Sequence, residues 1–366
     1  MFSKNEKICI RQLESLLILD LYSRGVLFLP RLAVEAANQD GWICLIGATI
    51  LAAFYGFIIT RLVRRFPNDT FVEFSAKILS KPVGMVLSLL FFVKLIIFAA
   101  FELRIFGEVV KQILLPQTPI EVIIASMLLI ASYLVRKGFE ARARLGEILF
   151  FIVFIPLISV LIFVLPDADF GNLQPFLTTS FTHFLKSSYD LSLTYIAIEL
   201  LLLVGPFIND YRKLEKASVI SIFFVGILNV ISAIIVLAVF GVVQTKRQLL
   251  PFMVLMGIVE IPGAFIERQE ILMIIFWILS DFSFINASLY FSSLIIKRVS
   301  KIEDQGFLVL PLVPIVYLIS LFPDNIVQTT DWILVLRSFR ILFMFFIPLV
   351  LLLVARLRKL GETVEK

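Results

Sequence analysis

Long apolar stretches alternate with short charged loops along almost the whole chain. A lipid hydrocarbon core about 30 Å thick needs roughly 20 apolar residues per helix, and ten stretches meet or nearly meet that length. They cover residues 11–36, 41–63, 82–114, 119–136, 144–165, 185–208, 214–243, 268–297, 306–323 and 332–356. The pattern predicts an all-α integral membrane protein with ten transmembrane helices, built as a single transmembrane domain.

One further apolar segment, residues 249–266, is ambiguous. It contains Pro251, Glu260 and Pro262, which would break a helix or place a charge in lipid. We therefore predict a broken extracellular helix here rather than an eleventh span.

The loop charges predict the orientation. The loops on the side of the two termini, together with the span ends that adjoin them, carry 22 Lys and Arg residues, with Arg142 counted among them, and the opposite loops and span ends carry 6. Basic residues collect in cytoplasmic loops, so both termini are expected in the cytoplasm. His183, in a polar loop before the sixth span, is expected at the outer surface.

Composition narrows the class of protein. The 366 residues are 60% hydrophobic and only 17% charged, with a mean hydropathy of +1.00, far more apolar than a soluble domain. The basic residues are scattered, which disfavours nucleic-acid binding. With one histidine and two cysteines, the chain has no metal signature and no nucleophile–base constellation, so we expect no metal, no cofactor and no enzyme activity.

Ten helices divide naturally into two groups of five. Five crossings are an odd number, so a second copy enters the membrane from the opposite side, as in many secondary transporters. We predict a 5+5 inverted repeat, with repeat one at about 11–165 and repeat two at about 185–356. In such folds the first helix of each half is interrupted at mid-membrane, where freed backbone groups line a substrate cavity.

Both first helices carry the residues expected of an interruption. Span 1 has Gly25 near its centre and Pro30 five residues later; a simple kink is the alternative. Span 6 carries Glu199 deep in an apolar run, with Gly205-Pro206 after it. A carboxylate at that depth faces the bundle interior and has a partner or a proton.

Two of these segments resemble signatures of amino acid–polyamine–organocation (APC) transporters. Ser23–Pro30 resembles the motif of unwound helix 1, and Tyr195–Glu199 resembles the aromatic-x-Gly-hydrophobic-Glu motif of helix 6. More closely, residues 11–358 resemble the permease-like B subunit of bacterial spore germinant receptors. The supporting residues are Leu29-Pro30-Arg31, Gly41-Trp42, Phe101-Glu102, Arg104, Thr118-Pro119, Asn172-Leu173, Pro175, Phe265-Ile266-Glu267-Arg268, Glu270 and Trp277.

The resemblance implies a LeuT/APC-like fold with interrupted helices 1 and 6 and a midplane ligand pocket between spans 1, 3, 6 and 8. Backbone N–H groups near Gly25 and Val26 would hold a ligand carboxylate, and carbonyls around Tyr195–Ala197 would hold its ammonium group. The residues it implies in ligand binding are Ser23, Gly25, Val26, Phe98, Tyr195, Ala197, Glu199, Ser283, Phe284 and Ala287. Two positions depart from the pattern: Arg24 replaces a small residue, and Ala197 replaces glycine, where it would limit ligand size.

Two other spans carry polar faces with two interpretations each. Lys94, Phe98 and Glu102 share one face of span 3; they line the cavity, with Phe98 as a gate, or the two charges form an ion pair that only fixes packing. Ser283, Ala287 and Ser288 share a face of span 8, which the resemblance places at a cation or substrate site. Alternatively, the serines bond to carbonyls of their own helix. Asp281 is expected to pair with a basic group.

The resemblance implies a nutrient-sensing subunit in the spore inner membrane or cell membrane. Its partners would be a small amino-acid-like germinant, a larger membrane subunit, a lipoprotein and the lipid bilayer. An H⁺- or Na⁺-coupled amino acid permease is the alternative function, because sensing and transport would use the same pocket.

Overall fold

The computed structural model describes residues 7–258 and 269–361, and most of them are helical. A 3₁₀ stretch, Leu193–Leu203, directly follows α7 and is called the 3₁₀ segment below. Each of the ten predicted spans overlaps one or more helical segments. The α-helices are α1 (Ile10–Ala37), α2 (Gly41–Arg65), α3 (Phe71–Ile78), α4 (Lys81–Ile113), α5 (Ile120–Arg136), α6 (Phe139–Phe163), α7 (Phe181–Ser192), α8 (Leu214–Arg247), α9 (Pro251–Ile258), α10 (Gln269–Ser300), α11 (Gln305–Ser320), α12 (Ile326–Val335), α13 (Arg337–Ile341) and α14 (Ile347–Leu357).

The outer faces of the bundle are apolar. Leu129, Ile130 and Ile155 are about 60% exposed, and such large exposed apolar patches suit lipid rather than water. Within the described residues, six stretches are long and apolar enough to cross a membrane: Leu27–Arg65, Lys81–Ile113, Phe139–Asp167, Tyr211–Arg247, Ile274–Ser300 and Arg337–Leu357. The chain is a multi-pass membrane protein; the number of ten crossings stays a prediction.

The helices pack in a pattern that suits the predicted repeat. α2 packs against α8, α4 against α10, and α5 against α11, and each of these pairs holds the same position in the two predicted halves. An axis relating inverted repeats brings such counterparts together. The repeat boundaries themselves stay a prediction. α1 lies among α8, α10, α6 and the 3₁₀ segment, so it runs through the interior.

α1 corrects one expectation, because it is a continuous α-helix through Gly25 and Pro30. Pro30 has no backbone N–H, so the carbonyl of Val26, four residues earlier, lacks its usual helical donor. Membrane helices tolerate such a proline. Neighbouring helices also contact α1 close by: the Trp277 indole N–H donates to the Ser23 carbonyl over 2.9 Å, and the side chain of Asn229 lies against Gly25. The predicted unwound stretch is absent, and with it the freed N–H groups near Gly25 and Val26 that were to hold a carboxylate.

The corresponding interruption in the second half is confirmed. The α-helix ends at Ser192, and the next 11 residues form a 3₁₀ helix in which Tyr195 has a non-helical ψ of 31°. Runs of 3₁₀ longer than three or four residues are uncommon, and one within a helix often marks a hinge. A second short 3₁₀ turn at Gly205–Phe207 follows. The break falls on the predicted signature.

Two other segments refine the predicted boundaries. α9 is a helix of only 8 residues, packed against α1 and α10; residues 259–266 of the ambiguous segment lie outside the described residues. α6 begins at Phe139, five residues before the predicted span, so Arg142 belongs to a helix. The interpretation of Arg142 as a loop charge that sets topology is therefore wrong.

The chain ahead of α1 is tied to the end of span 6. Ile8 and Ile208 form an isolated parallel bridge. The Ile8 N–H donates to the Phe207 carbonyl over 2.7 Å, and the Asn209 N–H donates to the Ile8 carbonyl over 3.2 Å. This contact, called the Ile8–Ile208 bridge below, joins the start of the first half to the first helical region of the second.

Candidate functional site

A buried ion pair holds the 3₁₀ segment to α4. The Lys94 ammonium bonds the Glu199 carboxylate, and both side chains are almost fully inaccessible. Lys94 Nζ also lies 5.2 Å from the centre of the Phe343 ring and 5.8 Å from that of Phe98. Glu199 therefore faces the interior and has a basic partner, as its position in an apolar run predicted. That partner lies 105 residues away on another helix.

Arg340 binds the 3₁₀ segment at its first residue. It lies on α13, next to a π-helical turn at Leu342–Phe346, and π turns inside helices are frequent at functional sites. Its guanidinium Nη1 donates to the Leu193 carbonyl over 3.3 Å. Its own carbonyl accepts from Lys94 Nζ at 3.5 Å. Arg340 thus reaches the 3₁₀ segment directly at Leu193 and, through Lys94, at Glu199.

Further polar contacts flank the break on either side. The Tyr195 hydroxyl lies 2.9 Å from Thr49 Oγ1 on α2. One turn before the break, Asp190 pairs with Arg337 of α13. Side chains from α2, α4 and α13 therefore hold the 3₁₀ segment and the last turn before it. They stabilise the chain where the regular α-helical hydrogen bonds end.

A small cavity lies against the start of the 3₁₀ segment. Its volume is about 110 Å³, and it is lined by Phe28, Leu32, Glu102, Ile105, Thr194, Thr330, Ile333 and Arg340. Its walls are mostly apolar, and two groups of opposite charge, Glu102 and Arg340, complete them. Thr194 donates its hydroxyl proton to the Leu191 carbonyl at the end of α7, and Thr330 donates to the Ile326 carbonyl of its own helix. Both oxygens remain able to accept a hydrogen bond.

A second buried charge cluster joins α1, α6 and α10. Arg142 bonds both oxygens of the Asp20 carboxylate at 2.8 and 2.6 Å. The Ser283 hydroxyl donates to the same carboxylate over 2.6 Å, and the Ser283 carbonyl accepts from Arg142 over 3.3 Å. All three residues are buried. The contact explains why Arg142 lies inside the bundle: each charge compensates the burial of the other.

The predicted ligand residues Ser23 and Gly25 on α1 and Phe98 on α4 are buried. Ser23 donates to the Asp20 carbonyl over 3.1 Å, and a Cβ added at Gly25 would lie 3.1 Å from Asn229 Oδ1. Phe98 lies beside Lys94. The side chains of Arg24 and Val26 lie outside the described part of the structure.

The predicted residues on the other two elements are also buried. They are Tyr195, Ala197 and Glu199 in the 3₁₀ segment and Ser283, Phe284 and Ala287 on α10. Ser288 donates to the Phe284 carbonyl of its own helix over 3.0 Å, the alternative considered for these serines, whereas Ser283 bonds Asp20. Asp281 is fully buried.

The nine predicted ligand residues whose side chains the structure describes are not among those that line the 110 Å³ cavity. The role of all ten as ligand contacts stays a prediction. Glu102, considered as a cavity or ion-pair residue, does line it. Sequence reasoning missed Asp20 and Arg340. The signal was available for both, because each is a charge inside a predicted span, as Glu199 is. Thr194 and Thr330 gave no comparable signal.

The arrangement can recognise charged groups. A guanidinium can bind an anionic group, and a carboxylate with two hydroxyl oxygens can bind a cationic one. Within the described residues, no group of three or more His, Cys, Asp or Glu side chains is placed to hold a metal ion.

Comparison with known proteins gives consistent relatives. Residues 7–329 match the sequence profile of the family described as Spore germination protein. The chain is 30% identical to spore germination protein YndE of Bacillus subtilis over 365 residues, which cover 99% of this chain and 100% of that protein. It is 25% identical to spore germination protein A2 of the same organism, covering 92% of each. Spore germination protein GerQB of Bacillus cereus is 26% identical over 82% of each.

A solved structure shows the same fold. The crystal structure of MhsT in complex with L-phenylalanine superposes with a TM-score of 0.65 over 94% of this chain and 97% of that one, at 14% sequence identity. At that identity the likeness concerns the fold alone. It confirms the LeuT/APC-like membrane fold that the sequence predicted.

Proposed function

Because the chain belongs to the spore germination protein (Spore_permease) family, we propose that it is a nutrient-sensing membrane subunit of a spore germination receptor. Its ligand is a small amino-acid-like nutrient. Binding shifts an equilibrium between conformations of the bundle, by as much as the ligand's affinity differs between them. The subunit passes that shift to a larger membrane subunit and a lipoprotein in the same receptor. No catalytic step is part of this function.

The observation that carries the proposal is the cavity beside the interrupted helix. Arg340 and Glu102 offer opposite charges within one small space, the pairing that a zwitterionic amino acid would match. The structural neighbour with the same fold was solved with an amino acid, L-phenylalanine. The 3₁₀ segment beside the cavity is the element best suited to change shape when a ligand enters.

Deletion of the gene in the spore-forming organism tests the proposal. Spores that lack this chain, and spores that carry it back, are exposed to a panel of single amino acids, and germination is followed by loss of optical density. We expect at least one amino acid to trigger germination only when the chain is present. Identical responses of deleted and complemented spores to every amino acid would contradict the proposal.

An ion-coupled amino acid permease is the alternative, because the fold is shared with transporter-like proteins. The two functions differ in net flux. Labelled amino acid added to vesicles that contain the purified chain should bind without accumulating if the chain only senses. Accumulation driven by an imposed H⁺ or Na⁺ gradient, and its collapse when the gradient is removed, would favour the permease.

We further propose that both termini face the cytoplasm and that the protein lies in the spore inner membrane or the cell membrane. Arg144 and His183 are suitable probes, since both are exposed. A cysteine at His183 should react with an impermeant maleimide in intact cells, and one at Arg144 only after permeabilisation. The background for both is a chain with Cys9→Ser and Cys44→Ser. Reaction at position 144 in intact cells would reverse the orientation.

A further inference from the structure

We propose that a groove between the ends of α2 and α14 binds the phosphate headgroup of an anionic phospholipid, with Arg65 as the residue that binds the phosphate. The groove, called the α2–α14 groove below, has a volume of about 520 Å³. Its lining residues are Arg65, Phe66, Pro67, Asn68, Asp69, Lys77, Leu360 and Gly361. The inference goes beyond the proposed function, because it involves neither the nutrient nor the 110 Å³ cavity.

Arg65 differs from the charged residues around it, because it has no ion pair within the described part of the chain. Arg64 bonds Glu215 over 2.8 Å. Lys77 bonds Asp69 over 2.6 Å. Arg65 is half-buried, and its Nη1 is buried without a hydrogen-bond partner among the described residues. A buried donor without an acceptor is unfavourable. A phosphate in the groove that Arg65 lines would supply two acceptors, which a guanidinium binds in a two-pronged manner.

The surroundings of the groove are strongly basic. Residues 61–77 and 356–361 carry seven Lys and Arg side chains and only two acidic ones, Asp69 and Glu73. Both acidic side chains already have basic partners. Clusters of about four to eight basic residues beside a membrane span attract anionic lipids. The excess positive charge therefore favours an anionic lipid over a zwitterionic one, whose choline cation would be repelled.

The position of the groove favours a lipid as the source of the phosphate. On α14, Val350, Leu353 and Leu357 are 51%, 50% and 83% exposed, and their spacing of three and four residues places them on one helix face. Arg358 and Lys359 follow at once. The apolar surface thus ends where the basic residues begin, which is the depth of the lipid headgroups. An acyl chain along this face leads to a headgroup at the groove.

A lipid at this point would join the ends of two spans. Gly361 has a φ of 86°, and a Cβ there would lie 2.7 Å from the Arg65 carbonyl oxygen, so only glycine suits this close approach. Arg358 Nη1 donates to the Ile78 carbonyl of α3 over 2.9 Å. The end of α14 is therefore held against α2 and α3 by contacts to backbone carbonyls. A phosphate bound to Arg65 adds a contact between the same elements.

Native mass spectrometry of the full chain in mild detergent tests the inference, with phosphatidylglycerol and phosphatidylcholine as the probes. The unmodified chain should retain phosphatidylglycerol at lower lipid concentrations than phosphatidylcholine. Arg65→Gln should weaken phosphatidylglycerol binding about tenfold, which corresponds to the loss of a hydrogen bond between charged groups. Equal retention of the two lipids by the unmodified chain, or equal binding of phosphatidylglycerol by the variant, would overturn the inference.

The matched control is Arg136→Gln. Arg136 is likewise the last residue of a predicted span, on α5, and it is exposed, but it does not line the groove. Its replacement removes the same charge and should leave phosphatidylglycerol binding within about twofold of the unmodified chain. If both variants lose binding equally, net charge alone attracts the lipid and the assignment to Arg65 is wrong.

Photo-crosslinking in nanodiscs locates the lipid on the unmodified chain. Phosphatidylglycerol with a diazirine on its acyl chain should label the peptide that covers residues 347–361. Excess unlabelled phosphatidylglycerol should suppress this labelling, and the same excess of phosphatidylcholine should not. Labelling elsewhere only, or equal suppression by both lipids, would contradict the inference. If Arg65→Gln does not fold, this measurement decides.

Two other occupants of the groove are outcomes of the same experiments. Glycerol 3-phosphate carries the phosphate without acyl chains and should not suppress the labelling; suppression would assign the groove to a soluble phosphate. Residues 362–366 contain two glutamates, which could compete for Arg65. A chain that ends at Gly361 should bind phosphatidylglycerol as the full chain does. Binding that appears only after this truncation would assign the groove to residues 362–366 and overturn the inference.

Discussion

α1 and the stretch from α7 through the 3₁₀ segment begin the two predicted halves of the chain. α1 contains a glycine and a proline, and Gly205-Pro206 lies just after the other stretch. α1 passes through Gly25 and Pro30 as one helix of 28 residues, whereas the other stretch leaves the α-helix at Ser192, before its Gly205-Pro206. Helix breakers therefore do not decide where a membrane helix breaks. What differs is the set of partners.

The side chains that contact α1 stabilise an α-helix. Those that contact the 3₁₀ segment stabilise a backbone that is not α-helical. In α1 the Trp277 indole bonds a mid-helix carbonyl and Asn229 fills the space beside Gly25. In the 3₁₀ segment, Lys94 and Arg340 bond a side chain and a carbonyl from outside. A backbone in lipid must have its polar groups satisfied, so the available donors determine which conformation is stable.

The largest effect is expected from the buried pair that fixes the 3₁₀ segment. Glu199→Leu leaves the Lys94 ammonium buried without its carboxylate, which should lower the free energy of unfolding by about 3–5 kcal/mol. Lys94→Met with Glu199→Leu removes both charges and should restore most of that loss. Denaturant unfolding in mild detergent measures both. A double variant as unstable as the single one would show that the pair does not hold the break.

Crowding α1 at Gly25 should have the next largest effect. Gly25→Leu forces a side chain into the space that Asn229 occupies and should cost about 1–3 kcal/mol. Asn229→Ala makes room, so the double variant should recover part of this loss. Thermal unfolding provides the measurement. If Gly25→Leu keeps normal stability but loses the nutrient response, Gly25 contacts the ligand instead.

Two matched variants compare one hydrogen bond in each region. Trp277→Phe removes the donor to the Ser23 carbonyl in α1, and Tyr195→Phe removes the hydroxyl contact with Thr49 in the 3₁₀ segment. Each should cost about 0.5–1.5 kcal/mol. Only Tyr195→Phe should also shift the nutrient concentration for half-maximal germination. A shift with Trp277→Phe alone would place the moving helix in the first half.

The smallest effect is expected at Pro30. Because α1 is helical on both sides of Pro30, the ring is not needed to hold a break, and Pro30→Ala should change the half-maximal nutrient concentration less than about twofold. Alanine is the better helix former. Loss of the response at normal protein abundance would contradict this and show that α1 unwinds when the receptor responds.

The local sequence was sufficient to predict where the helices lie. It was not sufficient to predict which residues each helix contacts. Apolar runs of about 20 residues locate helices because the bilayer imposes that length. Glu199 indicated a buried partner because a charge in lipid needs one. Pro30 was ambiguous because the helices that surround α1, such as α10 with Trp277, come from distant parts of the sequence. Arg142 was assigned to a loop because charged residues in the first turn of α6 look like loop residues in a hydropathy profile.

The cavity shows the same limit. Arg340 stands in an apolar run and could have been recognised as a buried charge. Its partner, the Leu193 carbonyl, is a backbone atom 147 residues away, and backbone acceptors leave no mark in a sequence. Thr194 in the 3₁₀ segment and Thr330 on α12 line one cavity only because the fold packs these elements around it. Charge in a predicted span identifies candidates, and the fold decides which of them face one space.

The Ile8–Ile208 bridge has a consequence for the order in which the protein is made. The two bridged residues are separated by 200 positions, and chains are synthesised at about 5–20 residues per second. Ile8 is therefore made roughly 10–40 s before its partner. Asp20 waits for Arg142 in the same way, across 122 positions. The contacts that fix the first helix are thus completed only after more than half of the chain has been made, and a ribosome stalled before position 208 would leave Ile8 without its bridge partner.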